Sequence, residues 1–226
     1  LNEVNKVYKK ENPSAYIKLT KKNILNLKKS REKLLLNLKF PKKMFINSNL
    51  LDLGSGSGIY SLIYNLFGSN CTLVEYEKSF VSNSKKLFKK FSKNKFSIIN
   101  SDIFKFKKFK KYDIVIFNGV GHHTHDPNKA LNIACRYVQR GGFIIYGIGN
   151  KSGFFQRAIQ RLILFNISKN DMDIVKYSKL FFKQHLNRAS KFGGRSINQI
   201  IYDTYVNSKI DNHSIKDILQ IFNKNK

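Results

Sequence analysis

The stretch Leu51-Asp-Leu-Gly-Ser-Gly-Ser-Gly58 decides the interpretation of this 226-residue sequence. It follows a short apolar run and precedes an apolar helical segment, so it is expected to connect a buried strand to a helix. Three glycines at alternate positions let the backbone turn tightly and approach a ligand closely. Ligands of open α/β sheets bind outside the carboxyl ends of the strands. The stretch therefore predicts a ligand-binding loop after the first strand of such a sheet.

Apolar runs and helical patterns alternate on both sides of this loop. Strands are expected at residues 50–53, 71–74, 96–99, 112–117 and 143–147, and helices at residues 59–67, 79–91 and 127–139. Pro127 is expected at the first position of its helix, and Gly141-Gly142 is expected to break the chain before the fifth strand. Strands separated by helices predict an α/β fold with a Rossmann-like, doubly wound, mostly parallel sheet.

The flanking regions are expected to be helical. Residues 1–47 are predicted to form a helical cap, residues 48–149 the ligand-binding core, and residues 150–226 a helical insertion that covers a substrate. The insertion is expected to contain a helix at 154–165 that is apolar and aromatic on one face, one or two helices at 171–186, a loop at 192–195 and a helix at 214–222.

Composition restricts the class of protein. Apolar residues make up 42% of the chain, enough for one domain with an appendage. The longest apolar runs are too short for a membrane span, and no secretory signal is visible. Two cysteines, Cys71 and Cys135, cannot form a disulfide framework or a zinc site. These features predict a soluble, cytoplasmic protein.

The glycine spacing separates this loop from two common phosphate-binding loops. A dinucleotide site requires Gly-x-Gly-x-x-Gly, whereas the third glycine here is Gly58 and position 59 is Ile. No Gly-Lys-Ser/Thr follows, which excludes a Walker loop. Asp52, before the first glycine, would repel a pyrophosphate but suits a cationic amine, such as that of the methionine part of S-adenosylmethionine. We therefore expect S-adenosylmethionine as the cofactor.

Acidic residues also follow the next two predicted strands. Glu75 is expected to accept hydrogen bonds from ribose hydroxyls, with Glu77 as the weaker alternative. Asp102 is expected to accept from an adenine amino group. Each of these acids has the ordinary alternative of a helix cap or a solvated surface residue. Because the chain has only 14 acids, three of them at successive strand ends favour ligand binding.

These segments together resemble the class I S-adenosylmethionine-dependent methyltransferases over residues 49–149. The resemblance implies that the glycine loop and the acids of the second and third strands bind the cofactor. Tyr112-Asp-Ile-Val-Ile-Phe-Asn-Gly-Val-Gly-His-His-Thr-His-Asp-Pro127 is similar to the fourth strand and following loop of the methyltransferase type 11 group, which includes ubiquinone-biosynthesis O-methyltransferases. The cofactor-binding residues predicted from the loop, the acids and this resemblance are Asp52, Gly54, Ser55, Gly56, Gly58, Glu75, Tyr76, Asp102, Ile103, Asn118 and Gly119.

The later sequence extends the resemblance. Tyr146-Gly-Ile-Gly-Asn150, Asp203-Thr-Tyr205 and His213-Ser-Ile-Lys-Asp217 resemble a bacterial subgroup of type 11 methyltransferases, most of them uncharacterised. In that subgroup a helical insertion precedes the last two strands of a seven-stranded sheet. The sequence starts with Leu1 and stops at Lys226, before that hairpin, so a C-terminally truncated chain with strand order 3-2-1-4-5 is expected.

Three histidines, His122, His123 and His125, crowd the segment after the fourth strand. His123 or His122 could act as a general base that takes a proton from an acceptor hydroxyl. The alternative is that these histidines pack beside the cofactor and shape the pocket, because methyl transfer from a sulfonium needs mainly in-line positioning. A metal site is not expected, since three histidines in four residues rarely face one ion.

The net charge of +28 leaves two interpretations open. It could attract nucleic acid or another polyanion, or it could reflect a genome rich in Lys and Asn codons. Only seven of the 42 basic residues are Arg, which favours the compositional interpretation. The leading hypothesis is methylation of a small-molecule acceptor at oxygen or carbon. The alternatives are an RNA or protein methyltransferase and a non-catalytic binding domain.

Overall fold

A computed structural model describes residues 7, 10–11, 20–193, 195–207 and 210–225 of the chain. The chain forms two compact units. The sheet unit comprises residues 18–121, 128–147 and 221–226, and the helical unit comprises residues 1–17, 122–127 and 148–220. Most of residues 1–19, the first part of the predicted cap, lies outside the described residues.

The sheet has five strands, each about where alternation of apolar runs predicts it. They are β1 (Asn49–Leu53), β2 (Asn70–Glu75), β3 (Phe96–Asn100), β4 (Tyr112–Asn118) and β5 (Val138–Gly147). Their order is β3-β2-β1-β4-β5 and every pairing is parallel. The predicted α/β fold and strand order are therefore confirmed. Because the strands are parallel, the loops after β1, β2, β3 and β4 all leave from the same edge of the sheet.

Four helices accompany the strands in the chain. They are α1 (Lys21–Asn37), α2 (Ile59–Phe67), α3 (Lys78–Phe91) and α4 (Pro127–Arg136). The Thr20 hydroxyl caps α1 by accepting from the Asn23 N–H at 3.1 Å. A 3₁₀ helix, Lys42–Phe45, precedes β1.

The end of α4 and the start of β5 differ from the prediction. The helix expected over residues 127–139 ends at Arg136, and Gly141-Gly142 lies inside β5 rather than before it. The pairing shifts between Tyr112 and Ile114, so β5 bulges opposite the start of β4 and resumes its register at Phe143. Glycine suits this bulge, because a Cβ at position 142 would lie 2.8 Å from the Asp113 carbonyl oxygen.

Apolar side chains of β1, β2, β4 and α2 form the core of the sheet unit. Phe45 is fully buried and stacks on Tyr64 of α2 with ring centroids 4.8 Å apart. α1 packs on this core through Ile24 and Leu35. The core thereby fixes β1 and α2, the two elements that the glycine loop connects.

The helical unit contains the remaining helices. They are α5 (Phe155–Ile167), α6 (Asp171–Phe181), α7 (Lys183–Gly193), α8 (Ile197–Ile201), a π-helix (Tyr202–Val206) and α9 (Ile215–Lys224), whose last residues belong to the sheet unit. The predicted loop at residues 192–195 is wrong at its start, because Phe192 and Gly193 end α7, while Gly194 lies outside the described residues. The Ser190 hydroxyl donates to the Arg195 carbonyl at 2.7 Å, which holds the chain close to α7. Within the described residues, no helix has the length and apolar character needed to cross a membrane.

Candidate functional site

The glycine loop between β1 and α2 is fixed to the end of β2. The N–H groups of Gly54 and Ser55 both donate to the Val74 carbonyl oxygen, at 2.8 and 3.1 Å. Gly54, Gly56 and Gly58 all have positive φ, at 72°, 54° and 72°. This left-handed backbone favours glycine, so the alternate glycines are explained by the shape of the loop.

Two of these glycines also leave no room for a side chain. A Cβ on Gly54 would lie 2.6 Å from a methyl group of Val120, and one on Gly58 would lie 2.8 Å from the Ser84 hydroxyl. The Ser84 hydroxyl also donates to the Gly56 carbonyl at 3.1 Å. The segment after β4 and the helix after β2 therefore both pack directly against the loop.

Glu75, at the end of β2, contacts the glycine loop through its carboxylate. Oε2 accepts from the Gly56 N–H at 2.7 Å and Oε1 accepts from the Glu77 N–H at 2.9 Å. Burial raises the pKa of Glu75, and the backbone hydrogen bonds oppose that rise. Glu77 instead accepts from the Ser79 N–H and caps α3. The structure thus brings Glu75 to the loop and gives Glu77 a structural role.

Asp52 is buried on β1 and turns toward α2. Its carboxylate accepts a short hydrogen bond from the Ser61 hydroxyl. The pKa of Asp52 is raised to about 7, mainly by burial. The hydrogen bond from Ser61 opposes the rise, as does the charge of Arg31, whereas the charge of Glu75 contributes to it. Asp52 therefore keeps its proton to a higher pH than a surface aspartate does, and its direct contact with a ligand amine stays a prediction.

The segment after β3 turns around Asp102. Its carboxylate accepts from the Phe104 N–H at 2.8 Å, and its carbonyl oxygen accepts from the N–H groups of Lys105 and Phe106. Ile103 is buried, whereas Tyr76 after β2 is half-exposed. Asp102 and Tyr76 therefore both follow strands at the loop edge of the sheet, with surface left for a ligand.

Asn118 and Gly119, at the end of β4, are tied to the end of β5. The Gly119 N–H donates to the Gly147 carbonyl at 2.7 Å, and Gly119 has a φ of 72°. The Asn118 side chain occupies the space that a Cβ on Gly147 would need. Both residues are exposed, so each predicted residue of this strand end is accessible to a ligand.

The residues at this edge fit a ligand that combines a cationic group with hydroxyl groups. Two carboxylates, Asp52 and Glu75, interact electrostatically beside the loop, and a nearby cation would relieve their repulsion. The buried Ser55 hydroxyl has no hydrogen-bond partner within the part of the chain that the structure describes. A sulfonium, an ammonium and a ribose diol match these acceptor groups, whereas a pyrophosphate would be repelled.

A second polar cluster lies in the helical unit around His123. The Asn207 amide nitrogen lies 3.0 Å from Nδ1, so Nδ1 accepts and Nε2 is left to carry the proton. Nε2 lies 3.5 Å from a carboxylate oxygen of Asp203, whose other oxygen accepts from Arg195 at 2.7 Å. Asp203 and Asn207 were not predicted as site residues, because only the tertiary fold brings them to His123.

His122 differs from its neighbour. Burial and, to a smaller extent, the nearby His123 lower the pKa of His122 to about 3, whereas Asp203 opposes this. Its Nδ1 is buried and contacts no hydrogen-bond partner among the described residues. His122 is therefore neutral at physiological pH and is a weak base there. No group of three His, Cys, Asp or Glu residues within the described ranges is arranged to hold a metal ion.

Comparison with known proteins identifies the family. A profile of the methyltransferase domain family matches residues 46–218, so the chain belongs to that family. The resemblance to class I methyltransferases that the sequence indicated is confirmed, and S-adenosylmethionine is the cofactor of this class. The structure of magnesium protoporphyrin IX methyltransferase from Synechocystis, which contains S-adenosylhomocysteine, has a TM-score of 0.53 at 14% identity and covers 99% of this chain and 82% of that one.

Two further relatives are longer than this chain. Malonyl-[acyl-carrier protein] O-methyltransferase 2 of Ilyobacter polytropus is 28% identical over 110 residues, which are 48% of this chain and 42% of that protein. PKMT2 from Rickettsia typhi has a TM-score of 0.59 at 14% identity, covering 80% of this chain and 38% of that one. The chain therefore spans less than half the length of either protein.

The raised pKa of Asp52 predicts a pH-dependent gain in stability for Asp52→Asn. The unfolded carboxyl titrates near 3.8, so between about pH 4 and 7 the folded wild type holds a proton that the unfolded chain has lost, and its stability falls. Asn does not titrate and still accepts from Ser61. The variant should therefore gain on the order of 1–3 kcal/mol over wild type as the pH rises from 4 to 8.

Urea unfolding at pH 4, 6 and 8 measures this difference. Asp171→Asn is the matched control, because that carboxylate is on the surface beside Lys10 and should show no such gain. A difference between Asp52→Asn and wild type that does not change with pH would contradict the assignment.

Proposed function

We propose that the chain transfers the methyl group of S-adenosylmethionine to an oxygen or carbon of a small-molecule acceptor. The observation on which this rests is the carboxylate of Glu75, which bonds the glycine loop at Gly56 and interacts with the charge of Asp52. An acidic, glycine-lined strand edge favours a cationic cofactor with a ribose diol. The cofactor supplies a methyl group on a sulfonium, so the chain has mainly to orient the two reactants in line.

Each group at the strand edge has a proposed part in holding the cofactor. The loop residues Gly54, Ser55, Gly56 and Gly58 contact its methionine part, with Asp52 as the nearest negative charge. Glu75 accepts from the ribose hydroxyls, and Asp102 accepts from the adenine amino group. Tyr76 and Ile103 are proposed to flank the adenine ring, and Asn118 and Gly119 the methionine end.

The acceptor is proposed to bind the regions outside the core, residues 1–47 and 150–226. Specificity in this fold depends on such additions rather than on the sheet. Two relatives support a small or acyl acceptor by their names, one as a magnesium protoporphyrin IX methyltransferase and the other as a malonyl-[acyl-carrier protein] O-methyltransferase. The free cysteines Cys71 and Cys135 support a cytoplasmic location.

Glu75→Gln should weaken S-adenosylmethionine binding about tenfold or more. The Gln oxygen can still accept from Gly56, but the charge and the second acceptor for the ribose diol are lost. Isothermal calorimetry with S-adenosylmethionine and S-adenosylhomocysteine measures the effect. Asp113→Asn is the matched control, because Asp113 accepts from the Asn49 N–H, also at 2.7 Å, at the opposite edge of the same sheet.

The control should bind both ligands within about twofold of wild type. Equal weakening by Glu75→Gln and Asp113→Asn would point to the fold rather than to the site. Absence of binding by the folded wild-type chain would favour the non-catalytic alternative.

His123 is the proposed general base, and His122 a neutral neighbour that shapes the site. Nε2 carries the resting proton beside Asp203, so a second proton would be taken up at Nδ1, and the Asn207 amide would turn so that its oxygen accepts from that nitrogen. The resulting imidazolium would be stabilised by Asp203, whose carboxylate lies 3.5 Å from Nε2. His122, with a pKa of about 3, is too weak a base for this at neutral pH. Asp203 acts through His123 and is a positioning residue.

His123→Asn should lower kcat about 100-fold without changing S-adenosylmethionine binding. Asp203→Asn should change the pH dependence of kcat, and His122→Asn should leave that dependence unchanged. Incorporation of labelled methyl groups into a panel of hydroxylated small molecules measures these effects. An unchanged kcat and pH profile in His123→Asn would remove the histidine from the reaction and leave positioning as its role.

The charge of +28 favours an RNA acceptor as the second candidate function. Binding that neutralises several phosphates weakens steeply with salt. If RNA is the acceptor, affinity for a mixed RNA should fall at least about 100-fold between 50 and 200 mM salt, and methyl groups should enter the RNA. Fluorescence anisotropy measures the binding. A shallow salt dependence without methylated RNA would leave the small-molecule acceptor in place.

A further inference from the structure

The outer face of α5 is apolar and exposed. Phe155, Ile159, Leu162 and Ile163 recur at helical spacing, and their side chains are 67%, 44%, 65% and 44% exposed. We call these four residues the α5 apolar face. A surface helix normally turns such a stripe toward the core, so this contiguous exposure indicates a binding surface.

The opposite face of α5 is anchored inside the helical unit by two polar side chains. The buried Gln160 side chain accepts from the Tyr205 hydroxyl at 2.6 Å. The Arg161 guanidinium donates to the carbonyl oxygens of Thr204 and Asn207 at 2.8 and 2.7 Å. The inward side of α5 therefore combines two polar anchors with the packed Leu164, while four large apolar side chains point outward.

These hydrogen bonds fix the rotation of α5 about its axis. Turning the helix to bury the α5 apolar face would expose Leu164, which is fully packed, and would break the bonds of Gln160 and Arg161. The Tyr205 hydroxyl and two carbonyl oxygens would then lose their partners, at a cost for each. The outward apolar face is thus specified by the packing of the π-helix against α5.

The segment that contains this face is strongly basic. Residues 151–193, which contain α5, α6 and α7, have nine basic side chains and two acidic ones. A second copy of the chain would present the same positive charge, so charge opposes self-association through this face. An anionic phospholipid surface matches both properties, because it attracts the basic side chains and accepts the apolar ones.

We propose that the α5 apolar face inserts into the interface of an anionic phospholipid bilayer. The 13 residues of α5 extend about 20 Å, so the helix lies in the plane of the interface. Phe155, Ile159, Leu162 and Ile163 enter the acyl boundary. The basic side chains of the helical unit contact the anionic headgroups. Bilayer insertion is tested without reference to methyl transfer.

The absence of tryptophan from the sequence permits a direct test. Leu162→Trp introduces a single reporter on the α5 apolar face, and Leu36→Trp is the matched control on α1, where Leu36 is 57% exposed between Lys33 and Lys39. Both proteins are titrated with phosphatidylcholine vesicles, with or without phosphatidylglycerol, and with brominated acyl chains as quenchers. Leu162→Trp should shift to shorter wavelength and be quenched on anionic vesicles, whereas Leu36→Trp should not.

Phe155→Ser combined with Leu162→Ser should lower the partition coefficient for anionic vesicles about 100-fold in co-sedimentation. Both side chains are exposed, so the fold should be kept, as circular dichroism will show. Unchanged partitioning of this variant, or Leu162→Trp emission that anionic vesicles do not change, would overturn the proposal. So would a concentration-dependent dimer that the double variant abolishes, because a second copy would then cover the face.

Discussion

The attachment of the glycine loop to the end of β2 is the constraint on which the candidate site depends. Val74 receives two loop N–H groups through its carbonyl oxygen, and Glu75 receives a third through its side chain. The Glu75 carboxylate, which is expected to bind a ligand, therefore also holds the backbone of the loop in its conformation. Because β2 lies between β1 and β3, the same strand positions the acidic groups on both sides. The conformation of the glycine loop and the negative charge beside it consequently both depend on the end of β2.

Local sequence patterns predicted most of the sheet unit because its strands are short, buried and separated by turn residues. Residues 59–67 form the helix expected there, and Glu75 lies at the end of β2 as its position in the chain implied. The sequence-based prediction failed where the same short sequence is compatible with two different structures. Gly141-Gly142 usually ends an element, but here it fits a bulge inside β5 where a side chain would meet Asp113.

Local sequence patterns could not predict the direction of individual side chains or contacts between residues that are far apart in the chain. The direction of Asp52, toward Ser61 rather than away from the helix, depends on how α2 packs on β1. Asp203 lies 80 positions after His123 in the sequence, and no local signal joins them. Periodicity also revealed an apolar face on α5 without showing that it is exposed. That outcome depends on the polar anchors Gln160 and Arg161.

The buried Asp52 has a consequence for how pH affects ligand binding. A nearby positive charge lowers the pKa of a carboxyl. S-adenosylmethionine and S-adenosylhomocysteine both carry the amine that Asp52 is proposed to face, so on that assignment either ligand would favour release of the Asp52 proton near pH 7. An acidic medium would thereby weaken the binding of both ligands to the loop.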